Sequence, residues 1–455
     1  MAIRSRFSLV RNAVTIFGAA TTTSSALLFL TFFALDVFGF HSNPYMGLLF
    51  FLILPSMFVV GLVLIPVGMW LEHRRRAGGT AAWMPSWPKM DLNEPYQRRV
   101  AAIVVACTIA NVLIVSVAAY RGIEYMDSVQ FCGQLCHEVM QPEFAGYQAG
   151  PHSRVACIQC HIGPGAPWFV KSKMSGLRQV YAVTFNTHSR PIPSPVTNLR
   201  PARDTCEQCH WPEKFHGDKI KQIREYADDE ANTESVTTLQ MHIGGISAAK
   251  NTASGIHWHV AATNKIEYIA TDDKRQVIPY VRLDDGKGNV TEFRAEGVTD
   301  EQLARGERRV LDCVDCHNRP SHTFAISVER AVDDVIAGGG FERSLPFIRR
   351  EAVKALKASY PTTEAAMAGL AAGIEKFYRE AYPSAPQAAV QQAVTSVQAL
   401  YRRNIFPTMK VGWGSYSNNI GHTAFPGCFR CHDDNHKSKS GKVISQDCSL
   451  CHTQQ

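Results

Sequence analysis

Twelve of the thirteen cysteines in this 455-residue chain fall into pairs, and a histidine follows the second cysteine of every pair. Five pairs have the spacing C-x-x-C-H: Cys157/Cys160/His161, Cys206/Cys209/His210, Cys313/Cys316/His317, Cys428/Cys431/His432 and Cys448/Cys451/His452. A sixth, Cys132/Cys136/His137, has three intervening residues. This pattern reads as covalent haem attachment. Two thiols bond the vinyl groups of a haem, and the adjacent imidazole takes the iron as its proximal ligand. A zinc ribbon or a redox C-x-x-C pair does not require a histidine after every second cysteine. Six covalently attached haem c groups are therefore expected. In bacteria this attachment takes place outside the cytoplasmic membrane, so the chain beyond residue 130 is expected in the periplasm. Cys107, the odd cysteine, sits in an apolar run and reads as a small apolar residue.

Three charge-free stretches, 14–35, 45–71 and 100–120, have the length of a membrane span. Arg4, Arg6 and Arg11 precede the first, Arg74, Arg75 and Arg76 follow the second, and Arg98 and Arg99 precede the third. The 41–47 loop carries no Lys or Arg. The positive-inside rule then puts the N-terminus in the cytoplasm and the chain after Tyr120 in the periplasm of a bacterial inner membrane, the side that haem attachment demands. No small-x-small cleavage site stands at 35–40, so the first span is expected to be retained. Trp83 and Trp87 mark the 72–97 segment as a loop along the headgroups.

The expected fold is a mainly α membrane-anchored protein: three N-terminal transmembrane helices, then a periplasmic haem domain with little regular structure. That domain also carries a small antiparallel β insert and a helical segment. Residues 1–125 form the anchor, 126–225 the first haem region, 226–310 the β-rich insert, and 311–455 the helical segment with the later motifs. Within the insert, 256–261, 265–271, 275–283 and 290–294 read as strands separated by turns. Apolar residues at three- and four-residue spacing predict helices over 328–336, 349–357, 363–382 and 386–403. The net charge of +7 comes with no basic stripe interleaved with aromatics, so nucleic acid is not an expected partner.

Each haem needs a sixth ligand if it is only to carry electrons, whereas an open position would serve small-molecule chemistry. Met140, His152, His188, His242, His257, His322, His422 and His436 are the candidates. Their number exceeds the six positions to be filled, which favours a wire over a reductase. His257 and His259 share one face of a predicted strand, so at most one of them is expected to ligate each haem, with His257 taken as the candidate. His216 is expected to bond a propionate. His41 and His73 lie at membrane interfaces.

The run Phe131-Cys132-Gly133-Gln134-Leu135-Cys136-His137-Glu138-Val139-Met140 and the segment 153–166 around Cys157 and Cys160 resemble the NapC/NirT (NrfH-like) family of membrane-anchored quinol dehydrogenases. With three spans and the C-terminal 427–433 motif followed by His436, the chain is similar to its ImcH-like inner-membrane branch. Small family members have one span and four haems, and their methionine follows the motif histidine more closely than Met140 follows His137. The resemblance implies a quinol pocket beside the first haem, served by a lysine and an acidic residue after the second motif. Here that segment supplies Lys171 and Lys173 but no carboxylate at the matching place.

The function this implies is oxidation of menaquinol or ubiquinol from the membrane quinone pool. Its electrons would go to a periplasmic cytochrome or terminal reductase, and onward toward extracellular acceptors. Lys171, Lys173, Glu124, Asp127 and Glu138 are the groups expected to handle the protons. Three alternatives stand beside it: reverse flow into quinone, an electron-transfer subunit of a larger complex, and a periplasmic nitrite- or hydroxylamine-type reductase.

Overall fold

The computed structural model describes residues 12–37, 49–76, 91–162, 165–196, 199–215, 217–247 and 252–454. Arg4, Arg6, Arg11, His41, Trp83, Trp87 and His216 lie outside the described residues. The chain divides into two compact units, Met1–Cys136 and His137–Gln455.

In the first unit, the helices Ala13–Val37, Leu54–Arg76 and Pro95–Met126 occupy the three apolar stretches. All three are long and apolar enough to cross a membrane. Their mostly apolar sequences suit lipid, and the helical form pairs their backbone polar groups internally, which is what a lipid environment demands. The first two helices pack backbone to backbone through small residues. A Cβ at Gly61 would stand 2.4 Å from Thr22 Oγ1, and one at Gly68 would stand 2.5 Å from Thr15 Oγ1. Close approach of this kind drives association where lipid is as apolar as the side chains. The Thr15 hydroxyl adds a bond to the Ile65 carbonyl at 3.3 Å.

Among the described residues the second unit has two main cores, with smaller clusters around Phe406 and Leu303. The larger is the helical segment, with helices Val328–Ala337, Ile348–Lys357, Thr363–Ala381 and Gln387–Asn404. Val332, Ile348, Leu370, Ala393 and Val397 meet in its interior with almost no exposure. Ser327 and Thr362 cap the first and third helices by accepting from the backbone N–H three residues on. The smaller core lies on a five-stranded antiparallel sheet of order β8-β5-β6-β7-β9, with β5 Lys265–Ala270, β6 Tyr280–Asp284, β7 Val290–Arg294, β8 Glu307–Val310 and β9 Lys437–Ser438. Ile266, Tyr268, Val281 and Phe293 are buried there.

A hairpin joins the helical core to the motifs. β1 (Lys219–Tyr226) pairs antiparallel with β2 (Glu234–Met241), and Tyr226 is buried among the helices. Asn232, fully buried at φ 48°, donates to the Leu345 carbonyl at 2.9 Å and accepts from the Arg349 N–H at 3.0 Å. On the other edge of β2, the C-terminal β10 (His452–Gln454) pairs in register, with His452 opposite Met241. The last cysteine motif is thereby held by a strand that grows directly out of it.

The predicted strand at 256–261 is instead a 3₁₀-helix, Ile256–Val260. Gly255, at φ 66°, turns the chain, and the Trp258 N–H closes on the Gly255 carbonyl at 3.1 Å. The rest of the insert starts earlier than its β-branched runs suggest, at β1.

Candidate functional site

Each motif occupies one tight turn, which puts its two thiols on the same side. Cys157–His161 and Cys313–Cys316 are short helices, while Gly427–Arg430 and Cys448–Leu450 are 3₁₀ turns. The histidine N–H closes the turn on the carbonyl of the first cysteine in three motifs: His210 on Cys206 at 2.8 Å, His317 on Cys313 at 2.8 Å and His432 on Cys428 at 3.0 Å. The longer first motif has a local solution. Phe131–Leu135 forms a π-turn, whose wider hydrogen-bond ring absorbs one extra residue. Cys132 and Cys136 are thereby brought to the spacing along one turn that the other pairs reach with a residue fewer.

Within the second unit the motifs adjoin in chain order. Cys160 has Cys206 and Cys209 as electrostatic neighbours, and Cys206 adjoins Cys313. Cys316 neighbours Cys428, and Cys451 neighbours Cys428 and Cys448. Two charged side chains fasten this succession. Asp312 accepts from Cys313 N–H at 2.7 Å with one oxygen, and from Ala202 N–H at 2.9 Å and Arg203 N–H at 3.3 Å with the other. One carboxylate thus caps the helices of the third and fourth motifs, where the helix dipole favours an anion. Arg430 is buried and donates to the carbonyls of Gly427 at 2.8 Å, Arg275 at 3.0 Å and Asp315 at 2.7 Å. Tyr268, whose ionisation burial and Asp315 push up, stays a phenol and donates to Asp315 at 2.5 Å. The sheet core therefore grips the fourth motif directly.

Histidines from elsewhere in the chain face the motif histidines. Ring centres lie 6.0 Å apart for His152 and His210, 6.1 Å for His161 and His322, 5.7 Å for His259 and His432, and 6.3 Å for His422 and His452. The Nε2 atoms of His259 and His432 are 3.5 Å apart. Two imidazoles that each hold a metal at about 2 Å put their nitrogens about 4 Å apart, so this spacing fits an iron between them. His257 is an electrostatic neighbour of His317.

The outer nitrogens repeat one arrangement. Nδ1 contacts a backbone carbonyl in His152 (Pro320, 3.0 Å), His257 (Ile243, 3.1 Å), His259 (Ile256, 2.7 Å), His322 (Glu143, 2.9 Å) and His432 (Ser445, 2.8 Å). A carbonyl only accepts, so Nδ1 carries the proton and Nε2 keeps its lone pair for a metal. Desolvation holds His257 and His259 below the usual imidazole pKa, and the neutral form is the one that ligates. These residues fit haem iron.

Other nominations fare differently. His436 is buried with both nitrogens engaged, Nδ1 by Asp433 at 2.8 Å and Nε2 by the Ile278 carbonyl at 2.7 Å. With both nitrogens bonded within the chain it turns neither to a motif, and it is His259 that stands at the fifth motif. The signal for His259 is tertiary: on a strand it would share the face of His257, whereas on a 3₁₀ turn residues two apart point about 120° apart. His242 pairs with Asp218 at 3.2 Å. His188 has both ring nitrogens shielded from solvent with no hydrogen-bond partner, a costly state that a ligand would relieve. Met140 lies one turn after position 137 on the helix His137–Gln148. Residues three apart on a helix share a face, whereas two axial ligands must approach iron from opposite sides.

The proton-handling candidates fall in both units. Glu124 and Asp127 belong to the first, where Glu124 pairs with Arg121 at 2.8 Å and Asp127 ends the third span. Glu138, Lys171 and Lys173 belong to the second. Glu138 is exposed in the first turn of its helix, and Lys171 Nζ lies 4.7 Å over the Trp168 ring. The helix Ala166–Thr184 that carries both lysines leaves Val170, Met174, Leu177 and Tyr181 exposed along one side.

The family profile described as NapC/NirT cytochrome c family, N-terminal region, matches residues 95–191. The cytochrome c-type protein ImcH of Geobacter sulfurreducens is 41% identical over 457 residues, covering 99% of this chain and 89% of that one. The chain belongs to the NapC/NirT cytochrome c family. The cytochrome c-type protein TorC of Escherichia coli strain K12 is a more distant relative, 26% identical over 192 residues that cover 41% of this chain and 47% of TorC. No solved structure matches. Membership makes the chain a membrane-anchored multihaem c-type cytochrome of electron transport, with covalently bound haem c and three apolar helices as its anchor.

Proposed function

We propose that this cytochrome is an inner-membrane quinol dehydrogenase that passes electrons from the quinol pool through six covalently bound haems to a periplasmic acceptor. The observation that carries this reading is the unbroken succession of motifs two to six, each beside the next, with histidines facing them. The same observation favours full coordination, and hence a wire over a reductase. Haem iron, when bound, supplies one-electron cycling between the ferric and ferrous states.

The work of the chain itself is holding and protonation. The twelve paired cysteines fix the cofactors, and His137, His161, His210, His317, His432 and His452 serve as proximal ligands. His152, His322 and His422 serve as distal ligands to the third, second and sixth motifs, and in His152 and His322 the Nδ1 contact with a carbonyl leaves Nε2 for the metal. His188, whose ring nitrogens are shielded from solvent, remains for a further position. Quinol oxidation releases two electrons and two protons and leaves quinone. Lys171 and Lys173 hold the quinol oxygen and Glu138 of the same unit takes each proton toward the periplasm, with Glu124 and Asp127 kept as the first unit's candidates for proton handling. The exposed apolar side of the helix Ala166–Thr184, bordered by Lys171 and Arg178, supports arrival of an apolar quinol ring. Arg74, Arg75, Arg76, Arg98 and Arg99 keep the helix ends they flank in the cytoplasm, which leaves the motifs periplasmic.

The test is haem reduction by quinol in single variants of the five proton-handling residues. Loss of an essential acid or base slows quinol-driven reduction by on the order of a hundredfold and leaves reduction by dithionite unchanged. Unaltered quinol rates in all five would remove these residues from the site.

A further inference from the structure

The 3₁₀ turn Ile256–Val260 is short, rigidly held, and carries two imidazoles that leave it in different directions. Its start is fastened to the end of β2: Ile256 N–H donates to the His242 carbonyl at 2.8 Å and His257 N–H to the Ile243 carbonyl at 3.1 Å. Asn264 Nδ2 holds the Trp258 carbonyl at 2.8 Å from the other side. Gly255, at φ 66°, admits no side chain, since a Cβ there would stand 2.5 Å from the His242 carbonyl oxygen. Both imidazoles commit Nδ1 to a carbonyl and leave Nε2 available. His259 Nε2 faces His432 Nε2 at 3.5 Å, while the His257 ring lies 4.7 Å from Phe215 and neighbours His317.

We propose that this single turn supplies the sixth ligand to two different haems, His257 to that of Cys313/Cys316/His317 and His259 to that of Cys428/Cys431/His432. The inference rests on the reading of these motifs as haem sites. It gives the β-rich insert a purpose: the insert carries a clamp between the fourth and fifth redox centres. Those two motifs are already fastened to each other by Arg430 and Asp315. With both distal ligands on one turn, neither centre can move without the other.

The experiment uses the full-length detergent-solubilised protein, with electron paramagnetic resonance to read spin state and haemochrome absorbance to count covalent haem. His257→Ala and His259→Ala should each convert one haem from low-spin to high-spin ferric form, and the double variant should convert two, with covalent haem unchanged. Free imidazole should return the low-spin signal, which separates loss of a ligand from misfolding. His259→Met should stay low-spin and raise the potential of one haem. Two results overturn the proposal: single alanine variants that remain wholly low-spin, or a double variant that converts only one haem. A wild-type protein whose peptides lack haem at Cys313/Cys316 or Cys428/Cys431 would instead defeat the underlying reading.

Discussion

Arg430 donates from Nη2 to the carbonyl oxygen of Asp315 at 2.7 Å, joining the fifth motif to the fourth at matching positions. Each residue stands immediately before the second cysteine of its motif. Its buried charge is answered by three carbonyls, those of Gly427, Arg275 and Asp315. Charged hydrogen bonds contribute about 1.5–3 kcal/mol each, and a buried network of them does not add simply. Arg430→Ala should lower the stability of the second unit by about 3 kcal/mol or more. Because the lost cation sits between two redox centres, two haem potentials should also fall. Thermal unfolding and a spectroelectrochemical titration check both effects, and unchanged potentials would contradict the placement.

His436 and His322 should respond in opposite ways. His436 has no free nitrogen, so His436→Phe should leave every haem low-spin while costing about 1–3 kcal/mol for its unpaired partners. His322→Ala, by contrast, should turn one haem high-spin, because His322 keeps Nε2 free beside His161. Spin-state spectra of the two variants decide it.

The contact between the first two spans predicts a steep steric penalty at Gly61. Adding even a methyl group would bring a carbon to 2.4 Å from Thr22 Oγ1, so the helices must separate. Gly61→Val should destabilise the anchor by about 1–3 kcal/mol. Loss of helical circular dichroism at lower temperature in detergent, with the haem spectrum unchanged, is the expected readout.

In the helical core Leu370 is wholly buried. Leu370→Ala should cost about 2–5 kcal/mol. The haem absorption bands should not change, since none of the sixth ligands named above lies on its helix, Thr363–Ala381.

The legible parts of this chain are those whose signals are local. Apolar runs long enough to span a membrane have few other fates, and helices Val328–Ala337 and Thr363–Ala381 announce themselves by the period of their apolar residues. β1 was not legible: Lys219–Tyr226 is exposed along most of its length without clear alternation, and pairing with β2 holds it extended. The run around His257 and His259 has strand composition, yet the left-handed Gly255 and the carbonyls at the end of β2 wind it into a turn. Distal histidines were the hardest to sort. A free Nε2 depends on which nitrogen a carbonyl meets: the distant Ile278 carbonyl takes Nε2 of His436, whereas the local Ile256 carbonyl takes Nδ1 of His259.

The central claim is that quinol electrons enter this chain and reach its haems. The direct measurement is anaerobic addition of a menaquinol analogue to the purified, detergent-solubilised protein, following the haem absorption bands with and without a quinol-site inhibitor. The account predicts reduction of the haems that the inhibitor abolishes. Haems that stay oxidised with quinol yet reduce fully with dithionite would contradict it.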